Sequence, residues 1–243
     1  MSIYSIFYNK LPSCKEDVLP SPEKGKIITF LNPFYLEKLK LHTNLYAQFD
    51  YICSDGILPI FLNRIWHLPK STRLSFDMTS LAKDVFECHF PKRIYFIGST
   101  QENIEKFVSL IKHTYPKINI CGFHHGYIRC FNSVGKEILN CNPNIIVIGM
   151  GAPLQDEFAI HLKEIGYQGT IYTCGGFFHQ TTKVINYYPN WINKLNLRAL
   201  YRILKEPYVI SRIIRFYPNF IIHYSTFLLN MKFKTPNNFN NKT

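Results

Sequence analysis

Acidic residues are scarce in this chain: 16 Asp and Glu stand against 28 Lys and Arg, for a formal charge of +12. A deficit of that size points to an anionic partner, such as a nucleic acid, a phospholipid surface or a phosphorylated substrate. Long apolar runs are missing too. The stretch Phe220–Leu229 is broken by His223, Ser225 and Thr226 and falls short of the about 20 apolar residues that cross a bilayer. The opening, MSIYSIFYNKLPSCKED, has no basic region leading into a continuous apolar one, so it does not read as a secretory signal.

Several chemical signatures are also lacking. The seven cysteines are odd in number, scattered and free of any CxxC pair, which excludes a disulfide framework and reads as reduced thiols in a cytosolic protein. No glycine-rich loop ends in GKS or GKT, and there is no GxGxxG or GxSxG. A P-loop, a dinucleotide fingerprint and a nucleophile elbow are therefore not indicated. No DxD appears near a strand end. Cys121, His124, His125 and Cys130 cluster, but not at a zinc spacing, so no metal site is expected.

What is present is an alternation. Short apolar runs at 27–31, 51–53, 94–97, 118–121, 145–148 and 170–173 are each followed by a glycine-containing or polar turn or by a helical pattern. Helical patterns follow from Pro33 and over 57–65, 100–114, 134–139 and 154–165. Strands that are apolar throughout, alternating with helices, predict a Rossmann-like α/β fold. About six parallel strands would carry helices on both faces. Ligands of such sheets bind beyond the carboxyl ends of the strands. The ends expected here are Asn32, Asp55, Gly98-Ser99, Gly149–Gly151 and Gly175-Gly176.

Three of these ends can carry chemistry. Asp55, in Ser-Asp-Gly after a strand, can act as a general base on an acceptor hydroxyl, or simply cap the next helix. Gly98-Ser99-Thr100 can hold a phosphate on backbone N–H groups at a helix start, or be an ordinary capped turn. In Gly149-Met150-Gly151-Ala152-Pro153-Leu154-Gln155-Asp156-Glu157, the glycines permit close backbone approach, Pro153 suits a first helical turn, and Gln155 points back toward the strand ends. Asp156 and Glu157 can equally do no more than match the helix dipole.

The charge is concentrated late. Residues 191–243 carry nine Lys and Arg against one acid, Glu206, for a net +8, leaving +4 for the first 190. Pro189 marks the boundary between a core of residues 1–190 and a basic appendage of 191–243. Residues 192–217 read as one or two amphipathic helices split near Pro207, with Arg198, Arg202 and Lys205 on one face and Arg212 and Arg215 following. Residues 235–243 read as a frayed end. Basic residues beside Leu197, Leu200, Tyr201 and Leu204 suit an interfacial helix on anionic lipid better than a nucleic-acid surface.

Taken in order, IITFLNP (27–33), SDGI (54–57), RLSFDMTSL (73–81), YFIGST (95–100), GY (126–127), PNIIVIGMGAPLQDEF (143–158), CGGFFH (174–179) and YRILKEP (201–207) resemble the WecG/TagA/CpsF family of bacterial glycosyltransferases. The resemblance covers about Lys26 to Tyr217. It implies an inverting, metal-independent transferase that moves a sugar from a UDP-sugar to a polyprenyl-diphosphate-linked sugar in surface polysaccharide synthesis. The sugar would be N-acetylmannosamine, its uronate or a hexose. It also implies a location at the cytoplasmic face of the membrane, held peripherally by the Arg-rich appendage.

The same resemblance makes Asp55 the base. Thr29, Asn32, Arg73 and Gln155 would be substrate-pocket residues, with Arg202 approaching the diphosphate. The basic residues that follow Glu206-Pro207 in the family are displaced here to Arg212 and Arg215, which can also balance its charge. On the nucleotide side stand Tyr127 and, by its matching position, His179, with Gly98, Ser99, Gly149 and Gly151. The chain departs from the pattern at Phe178-His179, where many members carry Phe-Asp, and at Arg198-Ala199-Leu200, where many carry Glu-Trp-Leu. The partners expected are a UDP-sugar, a lipid-linked acceptor and an anionic membrane, with room for self-association and no nucleic acid. No cofactor is expected. The competing reading is a non-catalytic nucleotide-binding or regulatory α/β protein, since fold does not imply function.

Overall fold

The computed structural model describes residues 1–68, 71–88, 92–183 and 208–234, together with Ile192 and Tyr201. The six apolar runs form six strands: β1 (Ile27–Leu31), β2 (Tyr51–Ser54), β3 (Arg93–Gly98), β4 (Asn119–His124), β5 (Ile145–Gly149) and β6 (Thr170–Thr173). They make one parallel sheet in the order β2-β1-β6-β5-β3-β4. Successive side chains on a strand face opposite ways, and the two faces feed two cores. Ile27, Leu31, Tyr95, Ile97, Ile146 and Ile148 enter one. Ile28, Ile94, Phe96, Ile145 and Val147 enter the other.

Ten helices cover this sheet among the described residues. They are α1 (Ile3–Asn9), α2 (Pro33–Lys38), α3 (Thr43–Tyr46), α4 (Ile57–Ile65), α5 (Leu81–Glu87), α6 (Gln101–Thr114), α7 (Phe131–Asn140), α8 (Leu154–Glu164), α9 (Phe177–Lys183) and α10 (Tyr208–Lys234). The expected α/β architecture is present. Buried residues of α5, α6 and α9 lie on one face, and those of α1, α2, α3, α7, α8 and α10 on the other. The fourth strand runs later than the apolar run at 118–121 suggests. Gly122 lets it pass the Tyr95 ring, where a Cβ would lie 2.4 Å from Tyr95 Cε2.

The end of the chain departs most from expectation. A helix over 192–217 ought to stop before Pro218, yet α10 runs through Pro218 to Lys234. An interior proline costs a helix about 3 kcal/mol. Against that, Phe220, Tyr224 and Leu228 are wholly buried at i, i+4 and i+8, each worth roughly 1.5–3 kcal/mol. Packing therefore outweighs the proline. The Tyr224 hydroxyl also donates to Asn63 Oδ1 of α4 at 2.9 Å, and its ring lies 6.0 Å from both Tyr4 and Phe7 of α1. These α10 residues share one hydrophobic core with β1, β3 and β5. Among the described residues no helix is long and apolar enough to cross a membrane. The readings for Arg198, Arg202, Lys205 and 235–243 lie outside the described residues.

Candidate active site

Asp55 leaves the end of β2 with its backbone held on both sides. Its N–H donates to Leu31 O at 3.0 Å, and Ser54 Oγ donates to Gly56 O at 2.8 Å. Gly56 occupies the cap position of α4, which has no side-chain cap. The capping role is therefore not what Asp55 performs. Its Oδ1 accepts from Ser75 Oγ at 2.6 Å, and Ser75 Oγ accepts from Arg73 Nη2 at 2.7 Å. Residues 73–75 reach this spot because they extend the edge of the sheet: Arg73 bridges to Ser54, and Leu74 N–H donates to Ser54 O at 3.2 Å. A charged donor on the serine oxygen polarises its hydroxyl, which then orients the carboxylate.

Asp55 lines a cavity of ≈ 280 Å³ over the ends of β1, β2 and β6, with Asn32, Asp77, Gln155, His179 and Arg212 on its walls. Asn32 spends its Oδ1 on capping α2, accepting from Tyr35 N at 3.1 Å. Gln155 Oε1 accepts from Gly151 N at 3.1 Å and Gly175 N at 3.0 Å. Two N–H donors on one atom fix the amide orientation, so the Nε2 donor end is the one left for the cavity. One buried amide thus ties together the turns after β5 and β6. Arg212, from the first turns of α10, lies over the Phe34 ring with its guanidinium carbon 4.7 Å from the centroid.

A second cavity of ≈ 320 Å³ adjoins the first and shares Tyr35, Gly175, Gly176 and His179 with it. Ser99, Tyr127, Gly149 and Gly151 line it. Ser99 takes a left-handed conformation, φ +58, and its Oγ accepts from Asn103 Nδ2 at 3.2 Å. The same amide lies 3.0 Å from His179 Nδ1. Gly149 has no room for a side chain: a Cβ would sit 2.7 Å from the Phe178 ring. Together the two adjoining cavities lie across the strand ends, the first largely polar with the carboxylates of Asp55 and Asp77, the second more apolar, with Met150, Leu154 and Phe178 beside glycine backbone.

The sequence model of the Glycosyl transferase WecG/TagA/CpsF family matches residues 7–235. The chain belongs to this family. It is 37% identical over 203 residues, 82% of this chain and 85% of the relative, to a UDP-Gal:alpha-D-GlcNAc-diphosphoundecaprenol beta-1,4-galactosyltransferase of Shigella boydii. It is 26% identical over 188 residues (76% and 73%) to an N-acetylglucosaminyldiphosphoundecaprenol N-acetyl-beta-D-mannosaminyltransferase of Bacillus subtilis (strain 168). A protein of the same name from Staphylococcus aureus (strain MW2) is 30% identical over 175 residues (71% and 68%).

Within this WecG/TagA/CpsF member, the structure gathers Asp55, Asn32, Gln155, Arg212 and His179 on one cavity and Ser99, Tyr127, Gly149, Gly151 and His179 on the other. Other expected residues stand elsewhere. Thr29 is fully buried and off the cavity wall, donating to Asp156 Oδ1 at 2.7 Å. Arg73 stands behind Ser75. Gly98 lets β3 pass β5, where a Cβ would meet Gly149 O at 2.3 Å. Arg215 packs against Phe216 rather than lining the cavity. Arg202 lies outside the described residues.

Of the acid pair at the start of α8, Glu157 is exposed while Asp156 does more than match the helix dipole. Asp156 is fully buried and accepts from Thr29 and from Tyr46 Oη at 2.9 Å. Burial pushes its carboxyl up to about 6, against the opposing pull of those hydroxyls. Pro153 takes the cap position of α8 rather than its first turn, after a cis Ala152–Pro153 bond. Tyr35, Ser75 and Asp77 are cavity residues that strand-end reasoning missed. Ser75 and Asp77 were visible only as part of the RLSFDMTSL segment. Among the described residues no three His, Cys, Asp or Glu side chains group to hold a metal ion.

Proposed function

We propose that this protein is an inverting glycosyltransferase that carries a sugar from a UDP-sugar to GlcNAc on a polyprenyl diphosphate. The observation that carries the reading is the position of Asp55. It is held by Ser75, itself held by Arg73, in a cavity that shares Tyr35, Gly175, Gly176 and His179 with a second one lined by glycine backbone. In this reading the nucleotide occupies the limb of Ser99, Tyr127, Gly149 and Gly151, and the diphosphate lies at the junction by His179 and Gly175-Gly176. An acceptor hydroxyl oxygen attacks C1 of the donor. The C1–O bond to phosphate breaks with its electron pair leaving on UDP, and the hydroxyl proton passes to Asp55. Single displacement inverts the anomeric centre.

The departing charge needs a counterweight. Arg212 supplies a fixed cation, and the Gln155 Nε2 amide, oriented by the Gly151 and Gly175 N–H groups on its Oε1, supplies a donor where charge grows. Metal independence follows as an expectation: activity persists in EDTA. The acceptor class is supported by the printed names of all three relatives, which share GlcNAc-diphosphoundecaprenol. The relative at 37% identity uses UDP-Gal, so a hexose donor comes first, ahead of N-acetylmannosamine and its uronate. A lipid-borne acceptor supports a peripheral position on the cytoplasmic membrane face.

The test is a panel of UDP-sugars offered with a short-chain lipid-diphosphate-GlcNAc. Wild type is expected to transfer at least one sugar, and Asp55→Asn to lose roughly 100- to 10,000-fold in kcat while still binding UDP. UDP binding with no transfer from any donor would favour the non-catalytic reading. Unchanged turnover in Asp55→Asn would remove the base assignment.

A further inference from the structure

α4 is apolar on both sides. Its inner face buries Pro59, Ile60 and Leu62, as a helix against a core should. Its outer face presents Ile57, Phe61 and Ile65, 39%, 55% and 51% exposed, at i, i+4 and i+8. Soluble helices normally carry polar residues there. The only charge on this helix is Arg64, also outward, and α4 has no acidic residue. The neighbouring helix repeats the pattern: α10 exposes Ile210, Ile214 and Ile221 at 41%, 70% and 41% and contains no acid. The two helices meet at the Tyr224–Asn63 hydrogen bond, one turn from Ile221. Both border the cleft: α4 begins two residues after Asp55, and α10 brings Arg212 to the cavity.

We propose that the Ile57–Phe61–Ile65 face of α4 docks on an anionic phospholipid surface and sets the Asp55 cavity against the headgroup layer. This contact lies on α4, within the Rossmann-like core. It rests on the reading that the acceptor is lipid-borne, because only then must the cleft approach a bilayer. Two observations favour lipid over a second copy of the chain. The helix carries Arg64 on its exposed side and no acid, which complements anionic headgroups. Three half-exposed side chains also offer only on the order of 300 Å², well short of the roughly 800 Å² per partner of a stable interface.

The experiment compares wild type with the triple variant I57S/F61S/I65S on vesicles of phosphatidylglycerol and phosphatidylethanolamine, read by co-sedimentation. The expected result is at least a tenfold loss of vesicle partitioning. Sugar transfer to a water-soluble short-chain acceptor should be unchanged, and transfer to a full-length acceptor embedded in the vesicles should fall. A second arm places a probe on the face. Phe61→Trp should shift its emission to the blue on vesicle addition and be quenched by brominated lipid. No shift and no quenching overturns the proposal, even where the triple variant misfolds. Equal vesicle binding by both proteins overturns it, as does a dimer in sedimentation equilibrium that the triple variant dissolves. Failure of wild type to transfer sugar to either acceptor would strike the glycosyltransferase reading, while the vesicle and fluorescence arms still report on the face.

Discussion

Ser75 offers a cleaner probe of the site than Asp55, because it touches the carboxylate without being the base. Its hydroxyl donates to Asp55 Oδ1 and accepts from Arg73. A hydrogen bond to a charged group contributes about 1.5–3 kcal/mol. Ser75→Ala should therefore lower kcat by about 10- to 100-fold, with KM for the UDP-sugar essentially unchanged. Ser75→Thr, which keeps the hydroxyl, should recover most of the loss. A Ser75→Ala enzyme with normal kcat would show that the relay does not position Asp55. Sequence reasoning reached Asp55 through its place after a strand, but Ser75 comes from a segment with neither strand nor helix periodicity. Thr29 failed for the opposite reason. Strand parity puts residues 27, 29 and 31 on one buried face, and only Asn32, the first residue past β1, reaches the cleft.

At the scale of elements, the strands were legible and the last helix was not. A buried parallel strand announces itself as an apolar run, as β1, β3 and β5 do most plainly. The half-exposed edge strand β4 is broken by Asn119 and shifted by its glycine, and β6 is bounded by threonines. α10 hides its extent behind Pro218, because local rules end a helix there, and the aromatic contacts with α1, the His223–Glu37 contact with α2 and the Tyr224–Asn63 hydrogen bond to α4 carry it on. Pro218 is exposed and has no N–H to offer Ile214 O. Pro218→Ala should therefore stabilise the protein by at least about 1 kcal/mol, or roughly 2–4 °C in melting temperature for a chain of this size. A lower melting temperature would mean that the proline shapes the helix so that Phe220 and Tyr224 can pack.

For the molecule as a whole, one buried carboxylate joins the parts that form the site. Asp156, in the first turn of α8, accepts from Thr29 on β1 and Tyr46 on α3, and reaches β6 through Thr173, whose hydroxyl donates to Thr29 Oγ1 at 2.8 Å. Burial holds its carboxyl near about 6, whereas an unfolded chain ionises it near 3.9. Below about pH 4 both states are protonated and the full contribution of this group to stability is present. As pH rises, the unfolded state ionises first, and the contribution declines until it levels off above about pH 6. The loss across that window is roughly 3 kcal/mol. Other carboxylates titrate over the same range with the opposite sign, so the comparison must be made with Asp156→Asn, which keeps a carbonyl acceptor and cannot ionise. The unfolding free energy of wild type minus that of Asp156→Asn, measured by denaturant titration from pH 4 to 7, should fall steadily and then flatten near neutrality. Parallel curves would mean that the carboxylate is ionised inside the fold throughout, and that its three hydroxyl partners outweigh the cost of removing it from water.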